Sequence, residues 1–193
     1  MDERNRSKPT RGIIRCGMVL LCIACASGPS YHDTKMDFAS IRTIAILPLV
    51  NLSRDGLAGD RVRDVLSNLL LSTGSLYVLP QGEVAKGIMR ASVANPSAPS
   101  KDEVVALGKA LGADAVIGGT LKEYGEIRSG NNVANAISLS LTMYETTTGI
   151  VVWSADSTKG GIGFGDRLLG GGGAPMNSVT EDACRELLGK LFK

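Results

Sequence analysis

The chain has 193 residues, of which 44% are hydrophobic, 21% charged and 4% aromatic, and it carries a formal net charge of +2. This is the composition of one globular domain rather than a disordered chain, with too few aromatic side chains for an extensive platform on which bases or sugars could stack. Arg4, Arg6, Lys8, Arg11 and Arg15 against Asp2 and Glu3 give residues 1–16 a charge of +3, which leaves −1 for the remainder and removes the basic footprint of a nucleic-acid binder; a single histidine, His32, argues against multi-histidine metal sites and histidine-based catalysis.

The basic segment is followed by the apolar run Gly17-Met-Val-Leu-Leu-Cys-Ile-Ala24. A basic stretch ahead of a short apolar one is the pattern of a secretory signal, and about 8 apolar residues fall well short of the roughly 20 that span a bilayer. The run ends in Cys22-Ile-Ala-Cys-Ala-Ser-Gly28, which resembles the bacterial lipobox, although Cys22 stands where that pattern usually has Leu. The resemblance implies cleavage between Ala24 and Cys25, with Cys25 as the lipid acceptor and first residue of the mature chain. A cysteine suits the task because a thiolate is the nucleophile that forms a thioether. Cleavage ahead of Cys22 would put Leu21 in the small position, a poorer fit. Residues 1–24 are therefore expected to be a signal peptide. Ala26, rather than Asp, follows the acceptor, and by the same resemblance this favours the outer membrane, on its periplasmic face.

Of the four cysteines, Cys16 and Cys22 would leave with the signal and Cys25 would be acylated, so Cys184 has no partner for an intramolecular disulfide. Residues 25–40 are expected to be a lipidated, polar tether with His32 as a solvated linker residue. About 15 residues at ~3.3 Å each reach at most roughly 50 Å, which keeps the domain near its membrane.

Residues 41–193 read as one α/β domain. Arg42–Val50 is β-branched and apolar, a buried strand with Pro48 near its end or at an irregularity. Val62, Val65, Leu66, Leu69 and Leu70 share one helical face. Leu76–Leu79 is a short strand, and Gln81–Ala91 a helix with Val84, Ile88 and Met89 inward. Ser100 and Glu103 form a capping box ahead of a helix that stops at Gly112. Asp114–Leu121 is a strand, whose Gly118 and Gly119 suggest close backbone or helix approach. Residues 136–157 are a β-hairpin: Ile137, Leu139, Leu141 and Met143 alternate with polar residues, Thr146–Gly149 turns, and Ile150–Ala155 returns with Trp153 in the core. Gly160–Gly173 is a glycine-rich loop. Ser178 and Glu181 suggest a second capping box, and Cys184, Leu187, Leu188, Leu191 and Phe192 line the last helix. The expected order is β-α-β-α-α-β-β-β-α, a mixed sheet with helices packed against it.

Motifs that carry chemistry are scarce. Gly160-Gly-Ile-Gly-Phe-Gly-Asp-Arg167 lacks the glycine spacing of a dinucleotide loop and the Gly-Lys-Ser/Thr of a P-loop, and no Gly-x-Ser-x-Gly elbow is present. Glu123 with Glu126, and Glu181 with Asp182, read better as solvated positions than as acid–base pairs. Asp55, Asp60 and Asp64 lack calcium-loop spacing and suit the start of a helix. No catalytic residue, cofactor or metal is expected.

Ile44-Ala-Ile-Leu-Pro-Leu-Val-Asn51, Leu111-Gly-Ala-Asp-Ala-Val-Ile-Gly-Gly-Thr120, Ile137–Gly149 and Val152-Trp-Ser-Ala155 together resemble a superfamily of bacterial envelope lipoproteins. It includes the curli secretion channel, the penicillin-binding-protein activators and their small relatives, with a related fold in the amino-terminal domain of the Tol-system propeller protein. The resemblance covers roughly residues 41–192 and marks strands and turns rather than chemistry. A channel would need long amphipathic hairpins; Glu123–Asn135 is too short for two membrane strands of ~9–11 residues, and Asp156–Pro175 is mostly glycine without alternation. Activation of a peptidoglycan synthase implies a long tether across the periplasm. The expectation is a non-catalytic outer-membrane lipoprotein, an accessory or assembly factor whose partners are the membrane, through its lipid, and other envelope proteins. A channel-type relative and further copies of the chain are included among them; nucleic acid is not. A synthase activator and an oligomeric secretion-channel component are the alternatives.

Overall fold

Within residues 28–129, 132–161 and 173–192, which the computed structural model describes, strands alternate with helices along the chain. The strands are β1 (Ser30–His32), β2 (Thr43–Ile46), β3 (Val50–Asn51), β4 (Tyr77–Val78), β5 (Ala115–Ser129), β6 (Asn132–Glu145) and β7 (Val151–Gly160). They form one seven-stranded sheet in the order β1-β7-β6-β5-β2-β4, with β3 also paired to β5. The helices are α1 (Ala58–Ser72), α2 (Gln81–Arg90), α3 (Lys101–Leu111) and α4 (Met176–Leu191), with a 3₁₀ turn at Phe38–Ser40. β2, β3 and β4 run parallel to their partners, whereas β5, β6, β7 and β1 are antiparallel in succession.

The α/β mixed sheet expected from the sequence is therefore present, with two additions to the strand order. The strand read over Arg42–Val50 is two strands. Leu47 still donates its N–H to Ile117 at 2.8 Å, but Pro48 has no N–H to give, and pairing resumes only at Val50. The second addition is β1. Residues 30–40 were expected in the tether, yet Ser30–His32 pairs antiparallel with β7, and Phe38 packs on the core. The free backbone groups on the outer edge of β7 offer a short strand more hydrogen bonds than solvent-facing coil would keep in order. His32 is not a solvated linker residue: its ring lies 5.6 Å from Phe38 and 6.4 Å from Trp153, both edge-on.

The sheet buries both faces. On one, α1 and α4 cover Ile44, Ile117, Leu139, Leu141, Met143 and Trp153, all at most 1% exposed. On the other, α2 and α3 enclose a smaller cluster around Ala45, Leu47, Val104, Leu107 and Val116. Each fully buried Leu or Ile contributes about 1.5–3 kcal/mol. The helical face on α1 is as expected, with Val62, Leu66 and Leu70 buried and Val65 and Leu69 packed beside them.

Three local expectations are corrected. Met89 is 71% exposed, and the small Gly87, which admits Leu111, takes its place on the inner face of α2. Phe192 is 53% exposed, because α4 ends at Leu191. Ser178 does not cap α4. That helix starts earlier, after Pro175, whose fixed φ of −56° leads into it, and Glu181 instead accepts from Asn177 and pairs with Arg185. The box at α3 is as expected: the Ser100 hydroxyl accepts from the Glu103 N–H, the Glu103 carboxylate accepts from the Ser100 N–H, and Gly112 closes the helix at φ +64°.

Candidate functional site

Gly28 and the start of β1 mark an entry point beside β7, among the described residues, and the surface around it is built from β7, β6 and α4. Gly28 lies beside the backbone of Asp156 and the ammonium of Lys190, and Ser30 opposes Ala155. Because β1 is antiparallel to β7, the chain traced back from Ser30 leads toward the Gly160 end of β7. Ala24 and Cys25, the residues expected from the sequence to mark cleavage and lipid attachment, lie outside the described residues, as do residues 162–172 of the glycine-rich loop.

The same end of the sheet carries a hairpin that was not foreseen. β5 was expected to stop at Leu121, but it continues past an irregularity between Leu121 and Glu123 and pairs with β6 as far as Ser129 opposite Asn132. β7 ends at Gly160 opposite Ala136; past it the Gly161 N–H still bonds the Asn135 carbonyl, Asn135 donates to the Ala174 carbonyl and Gly173 lies against Ala134, while among the described residues β5 and β6 alone continue as strands, forming a ribbon. Ile127 opposes Ala134 and Arg128 opposes Val133; Ile127, Arg128 and Val133 are all exposed. The available signal was Gly130-Asn131, a turn pair between the apolar residues Ile127 and Val133. Between this ribbon and the β3–α1 loop, Leu52, Arg54, Tyr124 and Ile127 help line an open cleft of about 350 Å³.

Ion pairs brace the entry point. Glu186 on α4 receives Lys159 of β7 at 2.5 Å and Lys190 at 2.7 Å, together with the Ser157 hydroxyl at 3.2 Å. Burial alone would raise its carboxyl pKa, but the two lysines, by hydrogen bond and charge, lower it to about 2. Lys190, itself buried, also donates to the Asp156 carbonyl at 2.7 Å, joining α4 to the strand beside Gly28. The Asp156 carboxylate accepts from the Ser140 hydroxyl and from Lys122, and both hold its pKa below the usual carboxylate range. Ser138 with Thr158, and Thr142 with Ser154, continue a row of paired hydroxyls across β6 and β7.

Most of the carboxylates singled out in the sequence are drawn into similar structural contacts; Glu123 and Asp182 have none among the described residues. Glu126 pairs with Arg128, Asp55 with Arg61, and Asp60 with Arg63, while Asp64 accepts from Gln81. Arg63 is buried and clamps α1 to β2 through the Ile46 carbonyl at 2.9 Å; burial lowers its pKa against the opposing pull of Asp60. Cys184 is fully buried, and burial pushes its thiol up to about 12, so it is no nucleophile in the folded chain. Among the described residues, no group of three or more His, Cys, Asp or Glu side chains is placed to hold a metal ion. At the opposite end of the sheet a groove of about 400 Å³ is lined by His32, Phe38, Leu76 and Phe192. These features offer surfaces for contact.

The family model described as the peptidoglycan-synthase activator LpoB matches residues 25–158. No curated protein matches the chain. Among solved structures, the PelC dodecamer from Paraburkholderia phytofirmans is 15% identical, with 84% of this chain and 92% of that chain covered at a TM-score of 0.52. A single-substitution variant of that PelC dodecamer is 16% identical, with 85% and 97% covered at a TM-score of 0.57. The hypothetical protein CT253 from Chlamydia trachomatis is 13% identical, with 79% and 96% covered at a TM-score of 0.53. At these identities the likeness is one of fold.

Proposed function

The chain belongs to the LpoB family, and from that membership we propose that it is a lipid-anchored, non-catalytic outer-membrane lipoprotein. In this reading it serves as an accessory or assembly factor that works through protein contacts in the cell envelope. Cys25 carries the lipid, and residues 1–24 are removed as a signal peptide. Each buried methylene of the acyl chains contributes about 0.8 kcal/mol, so two or more chains hold the protein stably to one leaflet.

The observation that carries this reading is the pairing of β1 with β7. It shortens the free tether from about 15 residues to the five steps between Cys25 and Ser30, a reach of at most about 17 Å. A domain on so short a leash meets partners in or against its own membrane, where confinement to a surface raises their effective concentration. Further copies of the chain are one such partner, in keeping with the dodecameric PelC relatives.

Activation of a peptidoglycan synthase is the second reading, favoured by the description of the family model. It demands that the synthase come to the outer membrane, because the domain cannot travel to it. The test is Cys25→Ser: lipid labelling of the mature chain should be abolished, and the protein should leave the outer-membrane fraction for the soluble periplasm. A variant that still sediments with outer membranes after an alkaline wash would overturn the anchor.

A further inference from the structure

We propose that the outer part of the β5–β6 ribbon, at Ile127, Arg128 and Val133, is a membrane contact, seated in the headgroup region of the same leaflet that holds the lipid on Cys25. The inference rests on the lipidation proposed above and on two lengths.

Gly28 lies near the level of Asp156, which opposes Ser140, and β6 runs from Ser140 to its outer end at Asn132. Eight residues of strand at ~3.3 Å each carry the ribbon about 26 Å beyond that level. Traced back from Ser30 to Gly28 the chain heads toward the same end, and three further steps to Cys25 reach at most about 10 Å. With Cys25 held at the bilayer surface, an upright domain that directs this end of the sheet at the bilayer carries the outer part of the ribbon into the headgroup region.

The side chains there suit that place. Ile127 and Val133 are 41% and 37% exposed, and they point to opposite faces of the ribbon, since Ile127 opposes Ala134 and Val133 opposes Arg128. Ala134, on the Ile127 face, is covered by Gly173, yet a branched apolar side chain remains exposed on each face. Arg128 is 74% exposed and among the described residues contacts Glu126 at 3.4 Å, a geometry from which its guanidinium can reach a lipid phosphate. The two-stranded part beyond Gly160 is too short for the ~9–11 residues that cross a bilayer, so the contact is interfacial and forms no pore.

The experiment uses the full, lipidated chain in vesicles of phosphatidylethanolamine and phosphatidylglycerol. An environment-sensitive fluorophore is placed at Ile127→Cys or Val133→Cys, with Ile150→Cys at the other end of the sheet as control; Cys184 is buried and Cys25 is taken by lipid. Emission at 127 and 133 should rise several-fold, shift to the blue, and be quenched by lipids that carry a nitroxide at the headgroup, while the label at 150 does neither. A label at 127 that stays in water on lipidated, vesicle-bound protein would overturn the ribbon contact alone. Loss of lipid from Cys25 would overturn both readings. A blue shift that grows with protein density and escapes the lipid quencher would assign the ribbon to a second copy of the chain instead.

Discussion

Glu186 joins helix α4 to strand β7 through two lysines, and its energetics depend on pH in a defined direction. Its carboxyl pKa is lowered from 4.5 to about 2: burial opposes ionisation, but Lys159 and Lys190 outweigh it. A lowered folded-state pKa gives stability that is fully present above the unfolded value and is lost as pH falls through the folded one. The side chain is 24% exposed, so the contribution, discounted for solvent screening, is about 1–2 kcal/mol. Glu186→Gln should cost about that much at and above about pH 5, and parent and variant should converge toward pH 2. Denaturant unfolding across this range checks it; an unchanged difference at low pH would show that the ion pairs are not its source.

At the scale of elements, the two glycines of β5 separate a required residue from a permissive one. A Cβ at Gly119 would fall 2.2 Å from the Ser140 carbonyl oxygen, part of the neighbouring strand's backbone, whereas one at Gly118 would meet only the Tyr144 ring at 3.9 Å. Gly119→Ala should destabilise the domain by about 1–3 kcal/mol, since the strands must part, and Gly118→Ala by clearly less. Thermal melts of the two variants decide it, and equal effects would refute the close-approach account. That close approach occurs here was legible in the sequence, as were the Ser100–Glu103 box, the face of α1 and the β6 alternation, because each is written in a local period or spacing. Which glycine makes the approach was not, since it depends on the register of β5 against β6 across the hairpin. The ends of β5 and β6 were missed for a related reason. An irregularity at Leu121/Glu123 breaks the period-2 pattern just where the ribbon begins.

For the whole molecule, the class of the domain could be read from the order of its segments, but the position of its entry strand could not. Ser30–His32 has no strand-like run of its own; it becomes β1 because β7, some 120 residues later, presents an open edge and Trp153 a surface for His32. Under the lipidation proposed above, that non-local pairing leaves only a short tether on the side of the β5–β6 ribbon. Of the candidate site the sequence offered only an expected address at Ala24 and Cys25, outside the described residues, and the surface around Gly28 emerged from topology. The central claim is that this domain works at the membrane that holds it. In-cell crosslinking of the anchored chain, followed by mass spectrometry of the captured species, tests it most directly. The account predicts one dominant outer-membrane protein, alone or with multiples of the chain itself; a peptidoglycan synthase of the inner membrane as the dominant product would contradict it.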